Sequence, residues 1–382
     1  MLRRRIASLT GFLAPERRHS YHVIRHTSNC RNMTRWIPYA VSLLVGCASS
    51  SGSIPQRPAP ASDDAGVLVV LTADNWLYFA DPSAGRIIKR VKLDRDQPWG
   101  EIVWPSQRLG ESIDGSIVAL TSWGNLFQVV PSTGVIMNRV EIGRVYTSLA
   151  VAPTSGRVAL FGLENLDALI QVRSLDAPVP RVAYRIPGRP GADWVIYGGA
   201  WAADESRLYV SYHGSSTTGI DWFSLTQDSL FRCVTRQSPR TGCIDAHGAL
   251  RVHQDGLIVA TGNADVWVVD SAGHLKRRLE TGVTGHLMEF ALDAAGETLF
   301  AAGPCGNGSG FGTVEIESGA RTGHQSAYGC AGQIEALNTG LVGLTKTDGV
   351  VIIDARSGET MAEIPLPGPI IDILMSRFGG HD

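Results

Sequence analysis

Charge is scarce in this sequence. Asp, Glu, Lys and Arg make up 18% of its 382 residues, below the roughly one quarter usual in globular domains. Aromatic residues reach only 7%. Beyond the N-terminal segment no apolar stripe recurs every 3.6 residues, which excludes a helical bundle or a coiled coil. No adjacent Cys-Cys and no Cys-x-x-Cys-His occurs, so the haem-attachment signature is missing. The six histidines of the body (His213, His247, His253, His274, His286, His324) include no His-x-x-x-His pair, the spacing that places two metal ligands together on a helix. The Ser-rich stretch His213–Thr218 lacks the strand, elbow and helix that a nucleophilic serine needs. The Gly-rich stretch Gly303–Gly312 is followed by no helix, which excludes a phosphate-binding loop.

What the chain does have is glycine, 43 residues of it, and a phrase that returns. Its copies include VAPTSGRVALFG (Val151–Gly162), WAADESRLYVSY (Trp201–Tyr212), ALDAAGETLFAAG (Ala291–Gly303) and SIDGSIVALTSWGNLFQVV (Ser112–Val130). A second phrase follows: FADPSAGRII, VVPSTGVIM, VVDSAGHLK, EIESGARTG and IIDARSGETM. Alternating apolar residues bounded by Asp-Gly and Ser-Gly turns read as β-hairpins in series. Units succeed one another at about 40–50 residues, the period of propeller blades. The expectation is an all-β, seven-bladed β-propeller with four antiparallel strands per blade. Eight blades is the alternative, with extra strands in Pro187–Val195 or Thr235–Ile244. The first unit lacks an inner strand, and the run Gly368–Ser376 supplies one, so the C-terminal strand is expected to complete the first blade and close the ring.

The N-terminus reads as an address. Arg35 precedes the apolar run Trp36–Gly46, too short for a membrane helix but suited to the core of a signal peptide. Leu44-Val45-Gly46-Cys47 resembles a bacterial lipobox, which implies lipidation of Cys47. Residues 1–32 read as an upstream start-site artefact or as a basic extension. Residues 48–65, rich in Ser, Pro and Ala, read as a flexible tether. The propeller is expected over 66–376, with a tail at 377–382. Residues 1–47 hold eight Arg and one Glu. Setting them aside reduces the chain's 34 basic and 36 acidic residues to 26 and 35, a balance near −9. Such a body argues against nucleic acid as a partner.

The turn phrases resemble those of the YVTN/quinoprotein-like propeller superfamily, in which D-x-x-[ST]-G closes the third strand of each blade. Quinoprotein dehydrogenases of that kind carry a Trp after this turn and vicinal cysteines. Neither is present after Gly85, Gly134, Gly273, Gly319 or Gly358, so no quinone cofactor is expected, nor any other cofactor or metal. Trp76, Trp222 and Trp267 read as packing between blades. Trp99, Trp104, Trp123 and Trp194 lie near turns, where some could mark a contact surface.

Two cysteine pairs lie in loop-like sequence, Cys233 with Cys243 and Cys305 with Cys330. They read as disulfides of an oxidising compartment, four buried thiols being the alternative. The only candidates for a ligand site at the channel mouth are His247, His286, Glu335 and Asp372. Solvated loop histidines are the plainer reading of the first two. The functional expectation is a lipid-anchored extracytoplasmic propeller on a bacterial membrane, on the periplasmic face of the outer membrane if the cell has one. It would bind another envelope or membrane-complex protein without catalysis. A lactonase-like or sugar-dehydrogenase-like enzyme, or a carbohydrate or cell-wall binder, are the alternatives. The disulfide reading is checked by alkylation mass shifts. Cys233, Cys243, Cys305 and Cys330 should be blocked before reduction and modified after it; equal modification in both states contradicts the pairing.

Overall fold

The computed structural model describes residues 66–96, 107–143, 145–165, 167–177, 180, 182–186, 195–214, 217–225, 229–231, 236–238, 242–243, 246–253, 256–261, 265–270, 274–283, 289–303, 310–323, 332–337, 340–346 and 348–376. Their regular structure is entirely β. None of these residues forms a helix long and apolar enough to cross a membrane.

The fold is a β-propeller, but the expected seven blades, or eight as the alternative, are corrected by the structure. Among the described residues, five blades are complete units of four consecutive antiparallel strands. They lie within Leu109–Glu141, Tyr146–Ile186, Val195–Phe231, Ala246–Glu280 and Ile334–Pro365. A further four-stranded sheet is composite, in the order Ile370–Ser376, Val67–Thr72, Trp76–Asp81, Arg86–Lys92. Another sheet has three strands, Phe290–Leu292, Thr298–Ala302 and Phe311–Glu315. There the chain turns through Glu315–Ala320, and Arg321 makes only an isolated bridge to Val314. The polar, Gly-containing sequence that follows has no alternating apolar pattern to extend that pairing. The eight-blade alternative fails at Thr235–Ile244. Among the described residues, Arg236–Ser238 and Gly242–Cys243 pair only with each other, as a two-stranded ribbon.

In the composite sheet Val67 is paired with Ser376, Val69 with Leu374 and Leu71 with Asp372. The two ends of the propeller are thus one ladder. Val67–Thr72, a middle strand of the composite sheet, lies between two neighbouring sheets, so both of its faces are buried. Val67, Val69 and Leu71 pack on Leu109, Ile117 and Phe127 of the next sheet. The intervening Leu68 and Val70 pack on Val350, Ile352 and Ile364 of the preceding sheet. The period-two geometry of a strand assigns successive residues to opposite neighbours. Such strands therefore read as unbroken apolar runs.

The recurring turn phrase has a double cause. Asp81 Oδ1 accepts from the Ser83 and Ala84 amides at 2.9 and 3.0 Å, and Asp354 Oδ1 accepts from Arg356 and Ser357 at 2.9 and 2.7 Å. The glycine ending each turn has positive φ, +61° at Gly85 and +73° at Gly134. It also lies against the neighbouring sheet. A Cβ on Gly85 would sit 2.9 Å from Ala362 Cβ, and one on Gly134 would sit 2.8 Å from Lys89 Cδ. Both conformation and contact demand glycine.

Strand parity divides the ring into two faces. Turns between first and second strands, and between third and fourth, lie on one face. Thr154, in one such turn, bonds Glu205 in the next, with its amide 2.6 Å from Oε1. The remaining connections lie on the opposite face, where the Ser122 amide bonds Asn75 Oδ1 at 3.1 Å. We call these the turn face and the loop face. Leu71 is fully buried and Ile88 is 55% exposed. Leu71→Ala should therefore cost about 2–5 kcal/mol of unfolding free energy in urea titration, and Ile88→Ala under about 0.5 kcal/mol. Equal losses would contradict the assigned packing.

Candidate functional site at the channel axis

The first strands of successive sheets line the axis, and their polar residues meet there. A cavity of about 150 Å³ is bounded by Gln107, Leu109, Arg251, Glu289, Gln333, Ile334, Glu335, Asp372, Ile373 and Leu374. Glu335 and Asp372, chosen from sequence, are thus brought together. His247 lies on the strand Ala246–His253, but its side chain is outside the described residues, as is all of His286. Cys47, Cys233, Cys305 and Cys330 are outside them too, and of Cys243 only the strand backbone is described.

Each axial carboxylate fastens one sheet to another, through backbone amides, a hydroxyl or a guanidinium. Asp372 Oδ2 accepts from the Arg108 and Leu109 amides of the next sheet at 2.6 and 2.7 Å. Glu335 Oε1 accepts from the Met375 amide at 3.0 Å, joining the last complete blade to the composite sheet. Arg251 Nη2 donates to Glu289 Oε1 at 2.6 Å, linking the sheet of Ala246–Glu280 to the three-stranded one. Ser376 Oγ donates to Glu111 Oε1 at 2.7 Å.

Burial controls their ionisation. Desolvation pushes Asp372 up to about 8, against the two amide bonds that favour its charged form, and the nearby Glu289 and Glu335 charges push the same way. Glu289 is also raised by burial, with Arg251 opposing. Arg108 is lowered to about 10 by burial, with Asp372 opposing. On the turn face the balance is reversed. Burial pushes Glu205 upward, but bonds from Arg157, Ser155 and Thr154 outweigh it and hold the group at about 2.

Arg108, Arg251 and Glu289 were not singled out from sequence. Arg251 and Glu289 sit in ordinary-looking strand and loop positions, and only the ring closes the gap between them. An Asp inside the apolar run of Ile370–Ser376 was the legible signal for Asp372. Chemically, the cluster is a set of inter-sheet clasps around a space for a few water molecules. Its volume falls below the 300–1,000 Å³ of usual small-molecule sites. Among the described residues no group of three His, Cys, Asp or Glu side chains is arranged to hold a metal. A larger, open groove of about 560 Å³ lies on the turn face between the three-stranded sheet and the last complete blade, lined by residues including Asp293, Thr298, Phe300, Thr313, Asp354 and Arg356.

The tryptophans divide. Trp201 is buried and donates to the Ala150 carbonyl across a sheet boundary at 3.0 Å. Trp123 stands on the loop face with the Arg95 guanidinium 3.6 Å from its ring centroid. Trp99, Trp104 and Trp194 lie outside the described residues.

No protein-family model matches the chain, and no curated protein matches its sequence. Solved structures do match in fold. One is the dihydro-heme d1 dehydrogenase NirN in complex with DHE, with TM-score 0.56 and 13% identity, covering 86% of this chain and 79% of that one. The structure of U3-55K aligns with TM-score 0.53 and 14% identity over 71% of this chain and 84% of its own. The RRP9 WD40 repeats align equally well, with TM-score 0.53 and 14% identity over 71% and 83%. At such identities the shared property is the propeller fold.

The raised Asp372 has a consequence for stability. Unfolded, the group ionises near 3.8; folded, near 8. Between these values the unfolded chain has released a proton that the folded chain keeps. Its contribution therefore weakens stability as pH rises from about 4 to about 8, then levels. Asp372→Asn, neutral throughout, should flatten that part of the urea-midpoint profile. An unchanged slope would mean that Asp372 ionises normally in the fold.

Proposed function

We propose that the chain is a lipid-anchored extracytoplasmic β-propeller of a bacterial membrane that binds another envelope protein without catalysis. Cys47 carries the lipid, residues 48–65 form the tether, and the disulfides belong to the oxidising compartment outside the cytoplasm. The likeness of the turn phrases to the YVTN/quinoprotein-like propellers supports an extracytoplasmic setting.

The observation that carries this reading is the division of faces. The chain enters the propeller at Val67, the turn-face end of its strand, where Val67 is paired with Ser376. The segments Trp99–Trp104, Asp193–Trp194, His213–Thr218 and Cys233–Cys243, and the segment opening at Cys305, differ from one another in sequence and follow strands whose described ends lie on the loop face. A tether on one face and diverse segments opening from the other suit a platform that presents a binding surface away from its membrane. The axial acids support the same reading, because Asp372, Glu335 and Glu289 already serve as clasps.

Metabolic labelling with an alkyne fatty acid tests the anchor. Label should enter the wild-type protein and be lost in Cys47→Ser; label retained in the variant would refute it. Crosslinking of native membranes followed by mass spectrometry tests the platform. Partner crosslinks should map to loop-face segments, and a partner captured through the turn face would contradict the assignment.

A further inference from the structure

The outer strands carry a repeated irregularity. In the composite sheet the register slips between Phe79 and Ala80, leaving Ile88 as the extra residue of a β-bulge. In the next blade the slip between Gln128 and Val129 leaves Met137. In the preceding blade the slip between Ile352 and Ile353 leaves Met361. All three lie three residues after a turn glycine, Gly85, Gly134 and Gly358. A bulge re-aims its extra side chain, and these three are 55%, 56% and 55% exposed. Ile87 and Ile136 precede two of them and are exposed as well. The same bulge recurs across the ring, in the blade Ala246–Glu280, where the preceding Leu275 is likewise exposed but the extra residue is Lys276. Among the described residues, a bulge with an apolar extra residue is therefore confined to three successive sheets centred on the composite one.

Two further observations identify what covers this ridge. The first is charge. The central strand, RIIKRVK, interleaves its exposed isoleucines with Arg86, Lys89, Arg90 and Lys92 and contains no acid, although the body as a whole is acidic. Apolar side chains among cations are the composition of surfaces that rest on anionic lipid. The flanking strand Thr360–Pro365 does carry Glu363, so the cationic centre lies on the composite sheet. The second is the chain's entry point. Leu68 is paired with Ala80, and Ala80 with Ile87. The residue following the first strand position thus stands two strand spacings, about 10 Å, from the ridge. Gly66, where the segment 48–65 joins, lies at that same edge.

We propose that Met361, Ile88 and Met137, with Arg86, Lys89 and Arg90, form a phospholipid-contacting ridge that lays this rim of the propeller on the bilayer surface. The inference deepens the lipid-anchor reading and rests on it for the choice of lipid over protein as the occupant. A bare tether would leave the ring free to tumble. The ridge adds a second contact beside the tether and thereby fixes which way the loop face points.

The test uses the full-length protein on vesicles of phosphatidylethanolamine and phosphatidylglycerol containing a phospholipid with a photoreactive acyl chain. Crosslinked peptides are mapped by mass spectrometry, and the state of Cys47 is read from the mass of its own peptide. Lipid adducts should concentrate in Arg86–Lys92 and Ile136–Glu141 and be absent from Leu275–Glu280. They should fall at least about fivefold in Ile88→Asp/Met137→Asp, with unchanged thermal unfolding. Met361→Asp alone serves as a milder second variant. Adducts spread evenly around the ring, or unchanged in both variants, would overturn the ridge even with Cys47 lipidated. Ridge adducts with Cys47 unmodified would uphold the ridge and refute the anchor. In native membranes, crosslinking of the ridge to a protein rather than to lipid would also overturn the proposal.

Discussion

The ladder between Val67–Thr72 and Ile370–Ser376 is the constraint on which the rest depends. It joins residues about 300 positions apart and puts Ile370–Ser376 at the inner position of the sheet that begins with Val67–Thr72. That strand carries Asp372, which reaches the Arg108 and Leu109 amides of the next sheet. Its Met375 amide is held by Glu335 of the preceding one. Without the ladder, the two adjoining sheets would lose these clasps at the axis, and Val67–Thr72 would lose one of its two hydrogen-bonded edges. Because the ladder forms only between distant parts of the chain, its loop-closure cost must be met by packing around the whole ring.

Much of this was legible in the sequence. The turn phrases marked hairpins because their glycines meet two demands at once, a positive φ and a close neighbour. The apolar C-terminal run marked the closure because it stood alone after a complete unit. The uniform blade count was not legible. Composition shows that Glu315–Gln333 is loop-like, but whether it adds a fourth strand depends on what the neighbouring edge offers, and only Arg321 pairs back within the described residues. The axial site was half legible. Asp372 and Glu335 are acids on otherwise apolar inner strands, so they stood out. Arg251 and Glu289 become partners only when separate sheets converge, which no local pattern records. The bulges were hidden for a similar reason. An extra residue is a property of a strand pair, and Ile88, Met137 and Met361 read in sequence as ordinary strand residues.

The two faces divide the protein's work. On the turn face the connections are short turns that can be tied to the next sheet, as Thr154 is to Glu205. The loop face has such bonds too, as between Ser122 and Asn75, but its connections differ more in length and sequence. The sequence is repetitive where the ring must close and individual where the ring is open. A second asymmetry runs around the rim, where one bulge position carries isoleucine and methionine near the chain's entry and lysine across the ring. Together they support an orientation in which entry point and ridge lie to one side and the strand ends at the loop face point to the other.

Hydrogen–deuterium exchange of the full-length protein, compared between detergent and anionic vesicles, tests that orientation most directly. The account predicts slowed exchange on vesicles in Arg86–Lys92, Ile136–Glu141 and Thr360–Pro365, with Leu275–Glu280 and the loop-face strand ends unchanged. Slowing at Leu275–Glu280, or at the loop-face ends such as Trp76 and Asn125, would contradict it.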